Sequence, residues 1–169
     1  MEGEIVNRVA KSKLMTIDLD KLYPKGERTI LDISQWLFQG LIVREKEFRT
    51  QLMEHDWSQY KDSYVILNCS SDAIIPGWAY LLITTYLQPY AKLIAKGSIE
   101  DLDNVLMTQV INELDLNDYQ GKPVIITGCS DNPIPETSYL LLLQKLMPIA
   151  RNIMYGEACS SVPLYRNRS

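Results

Sequence analysis

The pattern of apolar and polar positions predicts short strands alternating with helices along most of the chain. Leu14–Leu19 alternates apolar and polar side chains, as a half-buried strand does. Tyr64–Asn68 and Val124–Thr127 are nearly continuous apolar runs, which are typical of strands covered on both faces. The other predicted strands are shorter, and the predicted helices carry apolar residues at a helical spacing. These remaining elements are strands at Thr29–Ile33, Leu93–Ala95 and Ile153–Tyr155 and helices at Val43–His55, Pro76–Tyr90, Ser98–Leu114 and Pro135–Leu146.

Two segments of the chain are similar enough to predict an internal repeat. Ile75–Gly97 and Ile134–Gly156 carry the same residue at ten of 23 positions when they are offset by 59 residues. The shared residues include the proline at the helix start and the glycine after the last strand, which helix composition alone does not explain. One residue of slippage in the preceding loop also aligns Cys69 with Cys129. We therefore predict two copies of a strand–helix–strand unit, at about 64–97 and 124–156.

Units of this kind join parallel strands, because a parallel pair needs a long crossover connection. The sequence therefore predicts an α/β fold with a mostly parallel sheet, helices on both faces and a duplicated strand–helix–strand unit. We expect a single domain over residues 1–169. Residues 1–12 are polar and predicted to be frayed, and the residues beyond Cys159 are predicted to form a short tail.

Each of the three cysteines follows a predicted strand and precedes a serine. Because the carboxyl ends of parallel strands share one edge of a sheet, we expect the three thiols on the same side of the sheet. Two helix N termini border that edge and favour thiolates. Three thiolates suit zinc or an iron–sulfur cluster, and nearby carboxylates are candidates for a fourth ligand or a supporting role. The predicted metal site consists of Cys69, Cys129 and Cys159 with Asp72 and Asp131.

Other interpretations of these side chains stay open. Free cysteines are often small buried core residues, and a third interpretation is a reactive or sulfur-carrying thiol. In that case Cys159, in a loop, is expected to alkylate fastest. Asp72 and Asp131 also suit the caps of the helices that follow them, and Glu157 is a weaker candidate ligand. His55 is the single histidine, which excludes a histidine-rich zinc site and disfavours a Cys–His hydrolase.

Length and charge narrow the classes of partner and location. The 169 residues include 17 Lys and Arg against 21 Asp and Glu, a net charge of −4, which argues against a nucleic-acid-binding protein. No apolar signal segment opens the chain, and no apolar stretch is long enough to span a membrane. We expect a cytoplasmic protein with reduced thiols and no membrane or nucleic-acid partner. The apolar residues of Trp36–Val43 are expected in the core, with a homo-oligomer surface as the alternative.

Several segments resemble the bacterial family catalogued as domain of unknown function 2480. They are MEGEIVNRVAKSKL, WLFQGLIVREKEFR, HDWSQY, CSSDAIIPGWAY, TGCSDNPIP and MYGEACSSVPLY, and together they cover essentially the whole chain. The resemblance implies no catalytic residues, because the family has no established activity. It does imply that the genes of such proteins lie in gene clusters for the sulfur-mobilisation route of iron–sulfur assembly. One position departs from the expected pattern, since Ala158 rather than proline precedes Cys159.

These observations lead to one functional hypothesis and two alternatives. The hypothesis is a metal-binding or iron–sulfur-assembly accessory protein that holds zinc or iron on Cys69, Cys129 and Cys159, with iron–sulfur assembly proteins as partners. The first alternative is a non-enzymatic protein-interaction module whose cysteines are buried and structural. The second is a thiol enzyme or sulfur acceptor. The sequence favours a protein without enzymatic activity but leaves that point open.

Overall fold

A computed structural model describes residues 14–128 and 132–167 and groups the chain into two compact units. The central unit is Pro24–Leu106, and the terminal unit comprises the described residues up to Tyr23 and from Met107 onward. Each unit has its own sheet. The α/β class and the mostly parallel strands are confirmed, but the strands form two sheets instead of the one that we predicted. The predicted fraying of residues 1–12 lies outside the described residues.

The helices and strands that we predicted are present, with ends that differ by no more than three residues. The strands are β1 (Met15–Asp18), β2 (Arg28–Asp32), β3 (Tyr64–Asn68), β4 (Leu93–Lys96), β5 (Pro123–Thr127), β6 (Asn152–Tyr155) and β7 (Val162–Arg166). The α-helices are α1 (Leu19–Leu22), α2 (Glu45–Glu54), α3 (Gly77–Leu87), α4 (Ile99–Glu113) and α5 (Glu136–Leu146), and short 3-10 helices lie at Ile33–Trp36, Trp57–Tyr60 and Asn117–Tyr119. None of the helices in the described part of the chain has the length and apolar character that a membrane crossing requires.

The central unit contains a three-stranded parallel sheet with helices on both faces. The strand order is β2-β3-β4, so β3 lies in the middle. Val65 and Leu67 of β3 face one core cluster, which includes Phe48 of α2 and Ile83 of α3. Ile66 faces the opposite way and packs against Leu102 and Leu106 of α4. Burial on both faces explains why β3 is a continuous apolar run.

The terminal unit contains a four-stranded sheet in the order β1-β5-β6-β7. The first three strands are parallel, whereas β7 is antiparallel to β6. Val124 and Ile153 of this sheet pack in a core with Leu142 and Leu146 of α5. The prediction of an unstructured tail is wrong, because residues 162–166 form β7. The error has a physical cause, since most β7 side chains are exposed and show no apolar alternation.

The two strand–helix–strand units are structural copies. Val65 of β3 pairs with Ile94 of β4, and Val124 of β5 pairs with Ile153 of β6, each residue 59 positions from its counterpart. β3 and β5 are offset by 59 residues, and so are α3 and α5, which follow them after a loop. That loop therefore contains no insertion, and Cys129 corresponds to a serine rather than to Cys69. The predicted slippage of one residue is wrong.

A buried ion pair joins the start of β2 to α4 within the central unit. Arg28 Nε and Nη2 both lie 2.9 Å from Oδ1 of Asp103, and the two side chains are 16% and 2% exposed. The same guanidinium donates to the backbone carbonyls of Pro24 and Gly26. Because charges removed from water are stable only when they are paired and hydrogen-bonded, the position of this arginine is closely determined.

Replacing this arginine is expected to destabilise the protein. Arg28→Met leaves the Asp103 carboxylate buried without the guanidinium, so we expect the free energy of unfolding to fall by about 3 kcal/mol. Arg49→Met is the control, because Arg49 pairs with Glu45 at 2.9 Å while both side chains are at least half exposed. We expect its effect to stay below about 1 kcal/mol. Urea unfolding measures both values, and equal losses would contradict a special role for the buried pair.

Candidate functional site

Polar side chains gather at the carboxyl edge of the central sheet. Asp32 ends β2, Cys69 and Ser70 follow β3, and Lys96 ends β4. Tyr80 comes from the first turns of α3, which packs on this sheet. Ligands of open parallel sheets usually bind outside this edge. We refer to these five residues as the Cys69 site.

Asp32 ties the end of β2 to the loop after β3. Its Oδ1 accepts hydrogen bonds from the backbone N–H groups of Ser34, at 2.9 Å, and of Ser70, at 3.0 Å. Its Oδ2 accepts the Ser70 hydroxyl at 2.5 Å. Burial would raise the pKa of this carboxyl, but the hydrogen bonds from Ser70 and Ser34 outweigh burial and lower the pKa to about 2. The carboxylate thereby holds the loop that begins with Cys69.

Cys69 is a free thiol whose side chain is partly buried against the core. Its Sγ lies 3.3 Å from the hydroxyl oxygen of Ser71. Tyr80 packs against the same core cluster. Burial raises the pKa of the Tyr80 hydroxyl, and the negative charge of the Cys69 thiolate raises it further. The Ser71 hydroxyl therefore borders the thiol, and Tyr80 packs on the same core cluster.

Lys96 brings a positive charge to the same face of the sheet. Leu67 and Lys96 are neighbours in the register of β3 and β4, and Leu67 faces α3. Side chains of paired residues in adjacent strands point to the same face, so Lys96 points to the α3 side as well. Its Nζ lies 4.5 Å from the centre of the Tyr80 ring, which is a cation–π distance.

The terminal unit carries different residues at the corresponding positions. Gly128 stands in the place of Cys69, and Tyr155 stands in the place of Lys96. The Tyr139 hydroxyl donates a hydrogen bond to the Gly128 carbonyl, and the Tyr139 and Tyr155 rings pack edge to face at 5.7 Å. Gly128 has a φ of +145°, and a Cβ there would lie 3.0 Å from Leu19 Cβ. A cysteine therefore does not fit this position as it fits position 69.

The predicted metal ligands are divided between the two units of the chain. Cys69 belongs to the central unit and Cys159 to the terminal unit, while Cys129 and Asp131 lie outside the described residues. The strands that precede Cys69 and Cys129 belong to different sheets, so the argument from one shared sheet edge is wrong. Among the described residues, no three His, Cys, Asp or Glu side chains form a group that could hold a metal ion. The metal site of Cys69, Cys129, Cys159, Asp72 and Asp131 stays a prediction.

Two further expectations change with the structure. Asp72 is exposed and does not cap α3, whose N-cap residue is Pro76 without a side-chain hydrogen bond. The N-cap residue of α5 is likewise Pro135. Cys69 is only partly buried and Cys159 is exposed, so neither is a buried core cysteine.

Sequence reasoning missed three members of the Cys69 site. Asp32, Tyr80 and Lys96 are not among the site residues that we predicted. A signal was available for two of them, since Asp32 and Lys96 stand at the ends of predicted strands, where parallel sheets bind ligands. To use that signal one must know which strands belong to the same sheet, and the apolar pattern does not show this.

Comparison with known proteins identifies a family but no characterised relative. The model of the family described as Protein of unknown function (DUF2480) matches residues 3–167. No curated protein and no solved structure matches the chain.

The low pKa of Asp32 predicts a pH-dependent contribution to stability. Asp32→Asn is expected to lower the free energy of unfolding at pH 7 by about 1 kcal/mol, a modest value because the carboxylate is partly in solvent. A carboxyl whose folded pKa is depressed stabilises the fold above its ordinary pKa of 3.8 and loses that effect as the pH falls towards about 2. The difference in the free energy of unfolding between Asp32→Asn and the native protein should therefore become smaller as the pH falls from 3.8 to about 2.

Urea unfolding at several pH values measures this difference. Asp72→Asn is the control, since it removes the same charge from an exposed position in the loop after β3, to which Asp32 is hydrogen-bonded. We expect no comparable loss for it at any pH. A difference for Asp32→Asn that stays constant down to pH 2 would refute the role of the ionised carboxylate.

Proposed function

Because the chain belongs to the DUF2480 family, whose description assigns no activity, we propose a function from the geometry of the Cys69 site: the protein accepts sulfane sulfur on Cys69. The observation that carries the proposal is a free, partly buried thiol at the carboxyl edge of a parallel sheet, with the Ser71 hydroxyl 3.3 Å from its sulfur and Lys96 on the same face of the sheet. Partial burial shields a persulfide from solution thiols while leaving the sulfur within reach of a donor.

The transfer needs no oxidant or cofactor. The Cys69 thiolate attacks the terminal sulfur of a donor persulfide, R–S–SH, in the manner of thiol–disulfide exchange. A sulfur–sulfur bond forms on Cys69 as the donor's sulfur–sulfur bond breaks. The donor leaves as the thiolate R–S⁻, and Cys69 carries the –SH group as a persulfide. The negative charge moves from Cys69 to the leaving sulfur, so charge and atoms balance.

The surrounding side chains support this role. The Ser71 hydroxyl, 3.3 Å from Sγ, is placed to donate a hydrogen bond to the thiolate. The Asp32 carboxylate is fully engaged by Ser34 and Ser70, so it fixes the loop and does not compete for the thiol proton. A sulfur acceptor also fits the sulfur-mobilisation neighbourhood that the family resemblance implies.

Incubation with glutathione persulfide is expected to place one sulfur atom on Cys69. Alkylation followed by peptide mass spectrometry locates the added sulfur. We expect Cys69→Ser to abolish most of the labelling, and Cys159→Ser, which removes an exposed thiol, to leave it intact. Equal labelling of Cys159, or no labelling of Cys69, would contradict the proposal.

A three-cysteine metal site is the second candidate function, and the recurrence of Cys-Ser after three strands favours it. We expect it to show as near-stoichiometric zinc or iron in protein purified anaerobically without an affinity tag. Elemental analysis and an absorption spectrum measure the metal, with Cys129→Ser as the matched variant. Metal that disappears in Cys129→Ser supports a thiolate site on Cys69, Cys129 and Cys159. Metal-free native protein contradicts a stable site.

A further inference from the structure

We infer that the Cys69 site takes an anionic substrate and that Lys96 recognises its charge. The substrate class is a small thiol compound with a carboxylate, in the persulfide form when it acts as a sulfur donor. This inference rests on the proposed function for the reaction, whereas the charge preference is a property of the site and is tested separately below.

The position of Lys96 relative to the thiol carries the inference. Lys96 pairs with Leu67 across β3 and β4, and Cys69 follows Leu67 by two residues, so all three belong to the same face of the sheet. The Nζ of Lys96 lies 4.5 Å from the centre of the Tyr80 ring, and Tyr80 and Cys69 pack against the same core cluster. The ammonium group is exposed, so an incoming ligand can reach it.

The acidic groups around the edge do not cancel this positive charge. Asp32 lies on β2, on the opposite side of β3 from Lys96, and three hydrogen bonds occupy its carboxylate. Asp101 accepts the backbone N–H and the hydroxyl of Ser98, so it forms a capping box with Ser98 at the start of α4. Asp72 is exposed in the loop after Cys69. Lys96 is therefore the charge available to a ligand on the β4 side of the thiol.

The internal repeat supplies an independent comparison. The terminal unit keeps the tyrosine, as Tyr139, but has Gly128 and Tyr155 where the central unit has Cys69 and Lys96. The positions of Cys69 and Lys96 thus both carry other residues in the terminal unit. Packing alone does not require this, because an aromatic residue fills the lysine position in the terminal unit and contacts the tyrosine there.

Two alkylating reagents of similar size but different charge test the inference. Iodoacetate is an anion and iodoacetamide is neutral, and both react with the same thiolate, so the ratio of their rates reports local charge and is independent of the thiol pKa. The rates are measured in a Cys129→Ser, Cys159→Ser background, in which Cys69 is the only thiol. We expect Lys96→Met to lower the iodoacetate-to-iodoacetamide ratio by roughly threefold to tenfold at low salt.

Three controls distinguish recognition of charge from a general structural effect. Lys96→Arg keeps the charge and is expected to retain the native ratio. Lys92→Met removes a lysine that precedes β4 and lies by the Tyr64 ring, at the opposite end of the strand, and is expected to leave the ratio unchanged. Added salt should lower the ratio for the native residue and have little effect on Lys96→Met. An unchanged ratio in Lys96→Met, or an equal fall in Lys92→Met, would overturn the inference.

Sulfur transfer from glutathione persulfide and from its diethyl ester separates this inference from the proposed function. If Lys96→Met lowers the iodoacetate-to-iodoacetamide ratio but the native protein gains no sulfur on Cys69, the anion preference stands and the sulfur-acceptor function fails. If Cys69 gains sulfur equally fast from acid and ester in both proteins, the function stands and the role of Lys96 fails. Faster transfer from the acid that requires Lys96 supports both.

Discussion

The parallel pairing of two strands across a helix is the constraint on which both units depend. β3 joins β4 through α3, and β5 joins β6 through α5, with the same register in each. A parallel pair cannot close with a tight turn, so the helix must pass over one face and bury it. Each pair also takes a further strand from the beginning of the chain, β2 beside β3 and β1 beside β5. The first strand of each copy thereby becomes a central strand, which explains its continuous apolar run.

The two copies use the same frame for different side chains at the carboxyl edge. The backbone places residues 69 and 128 alike, yet one is a cysteine and the other a glycine in a left-handed conformation beside Leu19 and Tyr139. The frame is thus compatible with a thiol only where space and φ allow a Cβ. Lys96 and Tyr155 differ in the same way, one presenting a charge and the other an aromatic ring. The two copies therefore share a backbone, and the side chains at the carboxyl edge determine which chemistry each copy can support.

The sequence pattern was sufficient for most of the elements and for the existence of the repeat, because both depend on local periodicity and on shared residues. It was insufficient for the division of strands between sheets, since pairing between β1 and β5 joins residues that are far apart in the chain. β7 was missed because an edge strand with exposed side chains resembles a polar tail. The slip that aligned Cys69 with Cys129 followed from matching residue types, whereas the register equates Cys69 with Gly128. Asp32 and Lys96 became visible only once the neighbouring strand ends were known.

The order of strands also determines when each sheet can form as the chain leaves the ribosome. Every residue of the central unit, Pro24–Leu106, is synthesised before β5 begins at Pro123. β1 must therefore wait for its partner, since Met15 pairs with Val124. Until then its backbone N–H and C=O groups have no strand beside them, which is the condition in which exposed strand edges pair wrongly. Because synthesis proceeds from the N terminus, the sheet that precedes Cys69 can form first, and β1 is the segment that a chaperone would have most reason to hold.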